Sequence, residues 1–236
     1  MQNCNIFQNL NTQATLICQR LQDAGFQAFI VGGCVRDLLL GQIPKDWDIT
    51  TSATPQQVME LFPKHYATGL QHGTITVSMG EGIENHFEVT TFRVEGEYKD
   101  GRRPEEVLFV SKIEEDLDRR DLTINSIALN PINFQLVDPF GSVTDLCYRT
   151  VKAVGVPLQR FQEDGLRIMR AARFAARFNC TIEADTLKAM SDSLETLKKV
   201  SIERIKDELC KILMTNNPYL GIKLLIETGA FTLVCP

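Results

Sequence analysis

Apolar positions along the chain fall into two regimes. Up to about residue 155 they alternate or gather in short runs, as strands do; beyond it they recur every three or four residues, as helices do. Ala28–Val31 is an apolar run, β-branched at its end and halted by Gly32-Gly33, which predicts a buried strand. Residues 35–40 then show helical spacing and stop at Gly41. Upstream, Ala14, Ile17, Cys18 and Leu21 mark a helix over Thr12–Asp23. Thr54-Pro55-Gln56-Gln57 reads as a capping box with proline at the first helical position, so a helix should run to about Phe62 before Pro63. Residues 74–77 and 86–92 predict two strands joined as a hairpin by 80–85. Residues 107–110 predict another strand, and 113–128 a segment with Leu117, Ile124, Ile127 and Ala128 on its apolar side. A short helix is expected near Asp145 and a last strand over 150–154. Past Pro157 no strand pattern returns; helices are expected over 163–178, 201–213 and 219–227. These two regimes predict a domain boundary near residue 155.

The chemistry gathers after the first strand. If Asp46, Trp47 and Asp48 are extended, period two puts both carboxylates on one face. Two acids on one face are costly unless a cation lies between them, and a divalent metal is the usual answer. The glycine pair near Arg36 suits a triphosphate. Glu88 falls on the polar face of its strand, where it is either a solvated residue or a third acid. The segment 93–106 is charged and nearly free of apolar residues, and reads as a surface loop or a lid. Arg119-Arg120-Asp121 could pair internally, or present guanidinium forks to phosphates with Asp121 orienting them.

Composition narrows the class. The 236 residues are 44% hydrophobic and 23% charged, as in ordinary globular domains. No run of 18 apolar residues is present, and the first ten residues do not resemble a secretory signal. Seven cysteines without CxxC pairs argue for a reducing cytoplasm and against a zinc site or disulfide framework. A net charge of −5 weighs weakly against nucleic-acid binding, although local basic patches occur.

Taken in order, these residues resemble the class II tRNA nucleotidyltransferases, which include CCA-adding enzymes and bacterial poly(A) polymerases. Gly32-Gly33, Arg36-Asp37, Gly41 and Asp46-Trp47-Asp48 resemble the family's first motif, and Asp116 with residues 119–125 (RRDLTIN) its second. Asp138-Pro139-Phe140-Gly141 with Asp145-Leu146 resembles the third, a hinge segment. Glu163-Asp164, Arg167 and Arg170-Ala171-Ala172-Arg173 resemble the fourth, and Ser201, Glu203 and Arg204 the fifth. Five motifs in order and spacing are far more specific than any one. Gly165 stands where the family usually has proline.

The resemblance implies an α+β fold: a polymerase-β-like head with a mixed sheet over 1–155, then an all-helical neck over 156–236, with the family's body and tail domains absent. It implies template-independent addition of C, C and A to the 3′ end of tRNA from CTP and ATP. Alternatives are poly(A) polymerase, a CC- or A-adding specialist, or an inactive nucleotide- or RNA-binding fragment. Two Mg²⁺ ions would be held by Asp46 and Asp48, with Glu88 a third catalytic acid. Gly32, Gly33, Arg36, Arg119, Asp121 and Asn125 would serve the nucleotide, as would Arg170 and Arg173. Asp164 and Arg167, three apart on a helix, make an ordinary i,i+3 ion pair by spacing alone. In the family the matching pair reads the incoming base. A carboxylate accepts from the amino group of cytosine or adenine and repels the carbonyl of uracil or guanine.

Overall fold

A computed structural model describes residues 6–96 and 107–235. Among them the strands are β1 (Ala28–Val31), β2 (Asp48–Thr51), β3 (His65–Gly69), β4 (Thr74–Ser78), β5 (His86–Thr91), β6 (Arg93–Glu95), β7 (Val107–Phe109), β8 (Ala128–Leu129), β9 (Leu136–Val137), β10 (Thr150–Val151) and β11 (Thr181–Ile182). The helices are α1 (Thr12–Asp23), α2 (Gly33–Leu39), α3 (Pro55–Leu61), α4 (Ile113–Asp118), α5 (Ser142–Cys147), α6 (Pro157–Glu163), α7 (Leu166–Phe178), α8 (Ala184–Asp192), α9 (Leu194–Leu197), α10 (Ile202–Leu213), α11 (Pro218–Glu227) and α12 (Phe231–Val234). They form two compact units. One holds the described residues up to Glu95 with Val107–Arg120 and Ile124–Ser142; the other holds Asp121–Thr123 and the chain from Val143.

The first unit is built on a mixed sheet of order β3-β4-β5-β2-β1-β8-β9. Only the β2–β5 pair is parallel among these neighbours. Ile75, Val77, Phe87 and Val89 alternate inward and are buried, so the period-two pattern that predicted β4 and β5 is the packing pattern. α1 packs on β1 through its predicted stripe and starts at Asn11, whose side chain accepts from the N–H groups of Gln13 and Ala14. The Thr54–Gln57 capping box of α3 is present in both directions. Phe29, Val31, Phe92, Ile113, Leu117 and Ala128 share a core under α4.

Several expectations change. β3 was not predicted: its HYATG sequence is exposed or half-buried throughout, so it carries no apolar period. The segment 113–128 breaks into α4, a 3₁₀ turn at Thr123–Asn125 and strand β8, which pairs directly with β1. The strand expected over 150–154 shortens to β10, followed by a single bridge from Leu122 to Ala153. β6, at the start of the charged segment, pairs with β7, just beyond its end, as a separate ribbon; the rest of the segment, 97–106, and with it the loop or lid reading, lies outside the described residues.

In the second unit α7 packs against α10 and α11. Gly221 permits this closeness, since a Cβ there would stand 2.6 Å from the Ile212 side chain and 3.2 Å from Ala176. One short strand does enter the otherwise helical C-terminal part. Asn179 ends α7 in the left-handed conformation, and β11 then pairs in parallel with β10. Two residues are too few to show a period.

Candidate active site

Asp48 opens β2 and Glu88 is the third residue of β5; the parallel ladder sets them directly opposite each other. Asp46 is not on the strand. The chain bends at residues 45 and 46, so the same-face argument for Asp46 and Asp48 does not hold as stated. The two acids nevertheless reach one cavity of about 800 Å³, lined also by Lys45, Trp47 and Glu88. Asp48 is an exposed residue, but desolvation by the surrounding protein pushes its carboxyl up; Arg120 opposes this, while Glu88 and Asp46 push the same way. A hard cation at this wall would relieve that repulsion, so the oxygen donors suit a divalent ion. Among the described residues, no three acids, histidines or cysteines are gathered closely enough to form a ligand set. Asp46, Asp48 and Glu88 are the acids this cavity would offer such an ion.

A buried acid organises the arginines. Asp116 is 0% exposed and accepts from Arg119 Nε at 2.9 Å and from Arg120 Nη2 at 3.3 Å. The Thr50 hydroxyl and the Arg93 N–H also approach it, each at 3.3 Å. Burial alone would raise this carboxyl, but the two guanidiniums more than offset it and hold Asp116 below the usual range. Asp121 accepts from Arg170 Nε at 2.7 Å in the second unit. Arg120, a candidate phosphate fork in the sequence, is tied to Asp116 in the fold. Its spacing from Asp116, four positions along one helical turn, was the available signal.

The glycine pair serves close packing more than open donation. Gly32 has φ 78° and gives its N–H to the Ile127 carbonyl at 2.9 Å. A Cβ on Gly32 would stand 2.8 Å from Arg120 Nη1, so glycine is what lets that guanidinium lie against the β1–α2 turn. Arg36 is 3% exposed. Its Nε and Nη2 donate to Asp37 at 2.9 and 2.7 Å, and Nη1 donates to the Asn125 side chain. Arg36 and Asn125 thus brace the wall behind Gly33, correcting the expectation that Arg36 faces a triphosphate.

In the second unit the Asp164–Arg167 expectation also changes. Asp164 is not helical: it lies between α6 and α7 with φ −148° and ψ 110°. Its Oδ1 accepts from the Leu166 N–H at 3.0 Å, and its Oδ2 takes Arg204 Nη2 at 2.6 Å. Arg167 pairs with Glu163 and donates to the Arg160 carbonyl at 3.2 Å. Just after the break, Gly165 resumes helical dihedrals and packs so closely that a Cβ there would stand 2.5 Å from the Leu197 backbone nitrogen. Arg173 pairs with buried Glu208 and lies 4.2 Å over the Phe174 ring. Arg170 and Arg173 are therefore internal ties of α7.

The comparisons agree with this architecture. Residues 28–152 match the model described as "Poly A polymerase head domain", and residues 179–236 that described as "Probable RNA and SrmB- binding site of polymerase A". The chain is 46% identical over 219 residues to a CCA-adding enzyme of Lactococcus lactis, covering 93% of this chain and 55% of the relative. It is 49% identical over 200 residues to one of Lactobacillus helveticus, covering 85% and 49%. Its fold matches the Bacillus stearothermophilus CCA-adding enzyme in complex with CTP at a TM-score of 0.83 and 39% identity, over 93% of this chain and 53% of that one. A Thermotoga maritima CCA-adding enzyme complexed with tRNA matches at 0.79 and 26%, over 97% and 54%. The chain thus spans about half the length of these relatives. Among the described residues no helix is long and apolar enough to cross a membrane. On this likeness, the chain belongs to the family of CCA-adding enzymes and poly(A) polymerases.

Proposed function

We propose that this protein carries out template-independent nucleotidyl transfer, adding C, C and A from CTP and ATP to the 3′ end of tRNA. The observation that carries this reading is the cavity in which Asp46, Asp48 and Glu88 meet, within a fold close to that of a CCA-adding enzyme that binds CTP. In the reaction the 3′ oxygen of the RNA bonds to the α-phosphorus, the bond to pyrophosphate breaks, and the hydroxyl proton leaves to solvent or base. Two Mg²⁺ ions held by Asp46 and Asp48 would lower the pKa of that hydroxyl and neutralise the departing pyrophosphate.

The chain's own groups do the rest. Arg119 and Arg120, fixed by Asp116, supply positive charge for the phosphates, and Gly32 and Gly33 serve the nucleotide by letting the Arg120 and Arg36 guanidiniums lie close against the turn. Catalysis is assigned to a head over 1–155 and base selection to a neck over 156–236. Asp164 accepts from the amino group of cytosine or adenine, and Arg167 donates to the ring acceptors beside it. Arg204 holds the Asp164 carboxylate in place. Asp121, Asn125, Arg170, Arg173 and Arg36 support the nucleotide through the wall and helix they brace. The six free cysteines among the described residues fit a reducing cytoplasm.

The test is incubation with Mg²⁺ and a tRNA transcript lacking its terminal CCA, with labelled CTP, ATP or both. Three additions and a stop support the proposal. A long A tail would instead mark a poly(A) polymerase, and nucleotide binding without incorporation would mark a binding module.

A further inference from the structure

The cavity of the carboxylates continues past them. Tyr66, Ile83 and His86 line it and also line a second cavity of about 580 Å³, which carries Lys64 and His65. The two form one track over the open face of the sheet. Its floor is a ladder row: Tyr66 pairs with Thr76, Thr76 with Glu88, and Glu88 with Asp48. Four strands in register put Tyr66 three interstrand steps from Asp48, about 14 Å at the usual spacing.

The row changes character along its length. It is acidic at Asp48 and Glu88 and hydroxylic at Thr76, whose Oγ1 lies 2.7 Å from that of Thr68. At the sheet edge it becomes aromatic. The Tyr66 ring, on a residue 54% exposed, lies 5.3 Å from the His86 ring at a tilt of 55°. Ile83 beside it is 84% exposed. Tyr66 and Thr68, two positions apart on β3, share a face and both line the cavity.

We infer that the Tyr66–His86 pair is a stacking platform for the single-stranded 3′ end of the acceptor RNA, seating the nucleotides just behind the reacting terminus. This rests on the transfer reading above. Its warrant is continuity and chemistry. The track ends at the acids where the terminal hydroxyl must lie, and the platform is too far along for the reacting nucleoside. It is within reach of those preceding it. Stacking on exposed aromatic rings accepts any base, which suits an end whose last residue changes with each addition. Carboxylates line both ends of the track, Asp46, Asp48 and Glu88 at the inner end and Glu81 and Glu84 at the outer, with one lysine at each, Lys45 and Lys64; this net negative lining repels phosphates, so the bases face the sheet and the backbone faces solvent. Asp164 and Arg167 are assigned to the incoming base, which leaves this platform to the acceptor.

The experiment uses the full chain and two probes: a short fluorescent single-stranded RNA ending in CC, followed by anisotropy, and CTP with Mg²⁺, followed by equilibrium dialysis. Tyr66→Ala should weaken RNA binding about tenfold or more and leave CTP binding as in wild type. Tyr66→Phe, which keeps the ring, should bind both probes like wild type. RNA affinity within twofold of wild type for Tyr66→Ala overturns the platform, as does an equal loss of both probes. So does a wild type that binds CTP but not the RNA. Failure of the wild type to bind CTP takes down the transfer reading itself, which separates the two.

Discussion

Asp48 and Glu88 are direct partners across the parallel β2–β5 ladder, forty residues apart in sequence and adjacent on one sheet face. That pairing gives the transfer chemistry its graded prediction. Asp48→Asn should reduce nucleotide incorporation at least a thousandfold. Glu88→Gln, which alters a neighbouring acid, should cost about ten- to a hundredfold. Single-turnover incorporation into a tRNA transcript measures both. Equal, small losses for the two would remove Asp48 from the centre.

Asp116 gives a stability prediction with a definite sign. Its carboxyl is held below the usual range in the fold, so it contributes stability that is complete above the unfolded value of about 3.8 and is lost as pH falls through the lower folded value. Asp116→Asn leaves Arg119 and Arg120 facing a neutral amide, and should destabilise the protein by about 3 kcal/mol at pH 7. The gap should narrow below pH 4. Thermal melts at pH 7 and pH 3.5 read it; a gap that stays constant with pH contradicts the ion-pair account.

Base selection should depend on Arg204 as well as on Asp164. Asp164→Ala should abolish the preference for CTP and ATP over UTP and GTP. Arg204→Ala should weaken that preference by about tenfold while Asp164 is still present, because it loosens a carboxylate held at 2.6 Å. The measurement is the ratio of kcat/KM for CTP and UTP. An unchanged ratio in Asp164→Ala would remove the base-reading assignment altogether.

The cysteines give a chemical test of the packing. Burial pushes the Cys34 thiol up to about 12, chiefly by desolvation, and raises Cys18 in the same way. Cys147, Cys210 and Cys235 are exposed. Iodoacetamide on the native protein at pH 8 should label these three and spare Cys18 and Cys34, as mass spectrometry of the peptides would show.

Elements whose cause is local were legible in the sequence. The Thr54–Gln57 box, the stop after Val31 and the alternation of Ile75, Val77, Phe87 and Val89 each sit within a few residues of what they determine. What escaped had a distant cause. β3 is an exposed edge strand with no apolar period to read. Which acid serves the arginines could not be settled from the Arg119-Arg120-Asp121 string. Asp121 is claimed by Arg170, 49 residues on, and Asp116 is buried against β2 and β6. The carboxylate site was half legible: Asp46 and Asp48 stood out, but the placement of Glu88 needed the register of β5.

Gly165 was visible in the sequence only as a departure from the family's usual proline. In the fold it is the point where the start of α7 meets the backbone of the last residues of α9, Thr196 and Leu197, too close for any side chain. A substitution here cannot be absorbed by a neighbouring side chain, because what stands in the way is main chain. Gly165→Ala should accordingly destabilise the second unit by about 1–3 kcal/mol in thermal melts and disturb nucleotide choice with it. Any residue with a Cβ at this place would require the 196–197 segment to take another path. The two stretches are therefore bound to drift together, and a change in one invites a compensating change some thirty residues away.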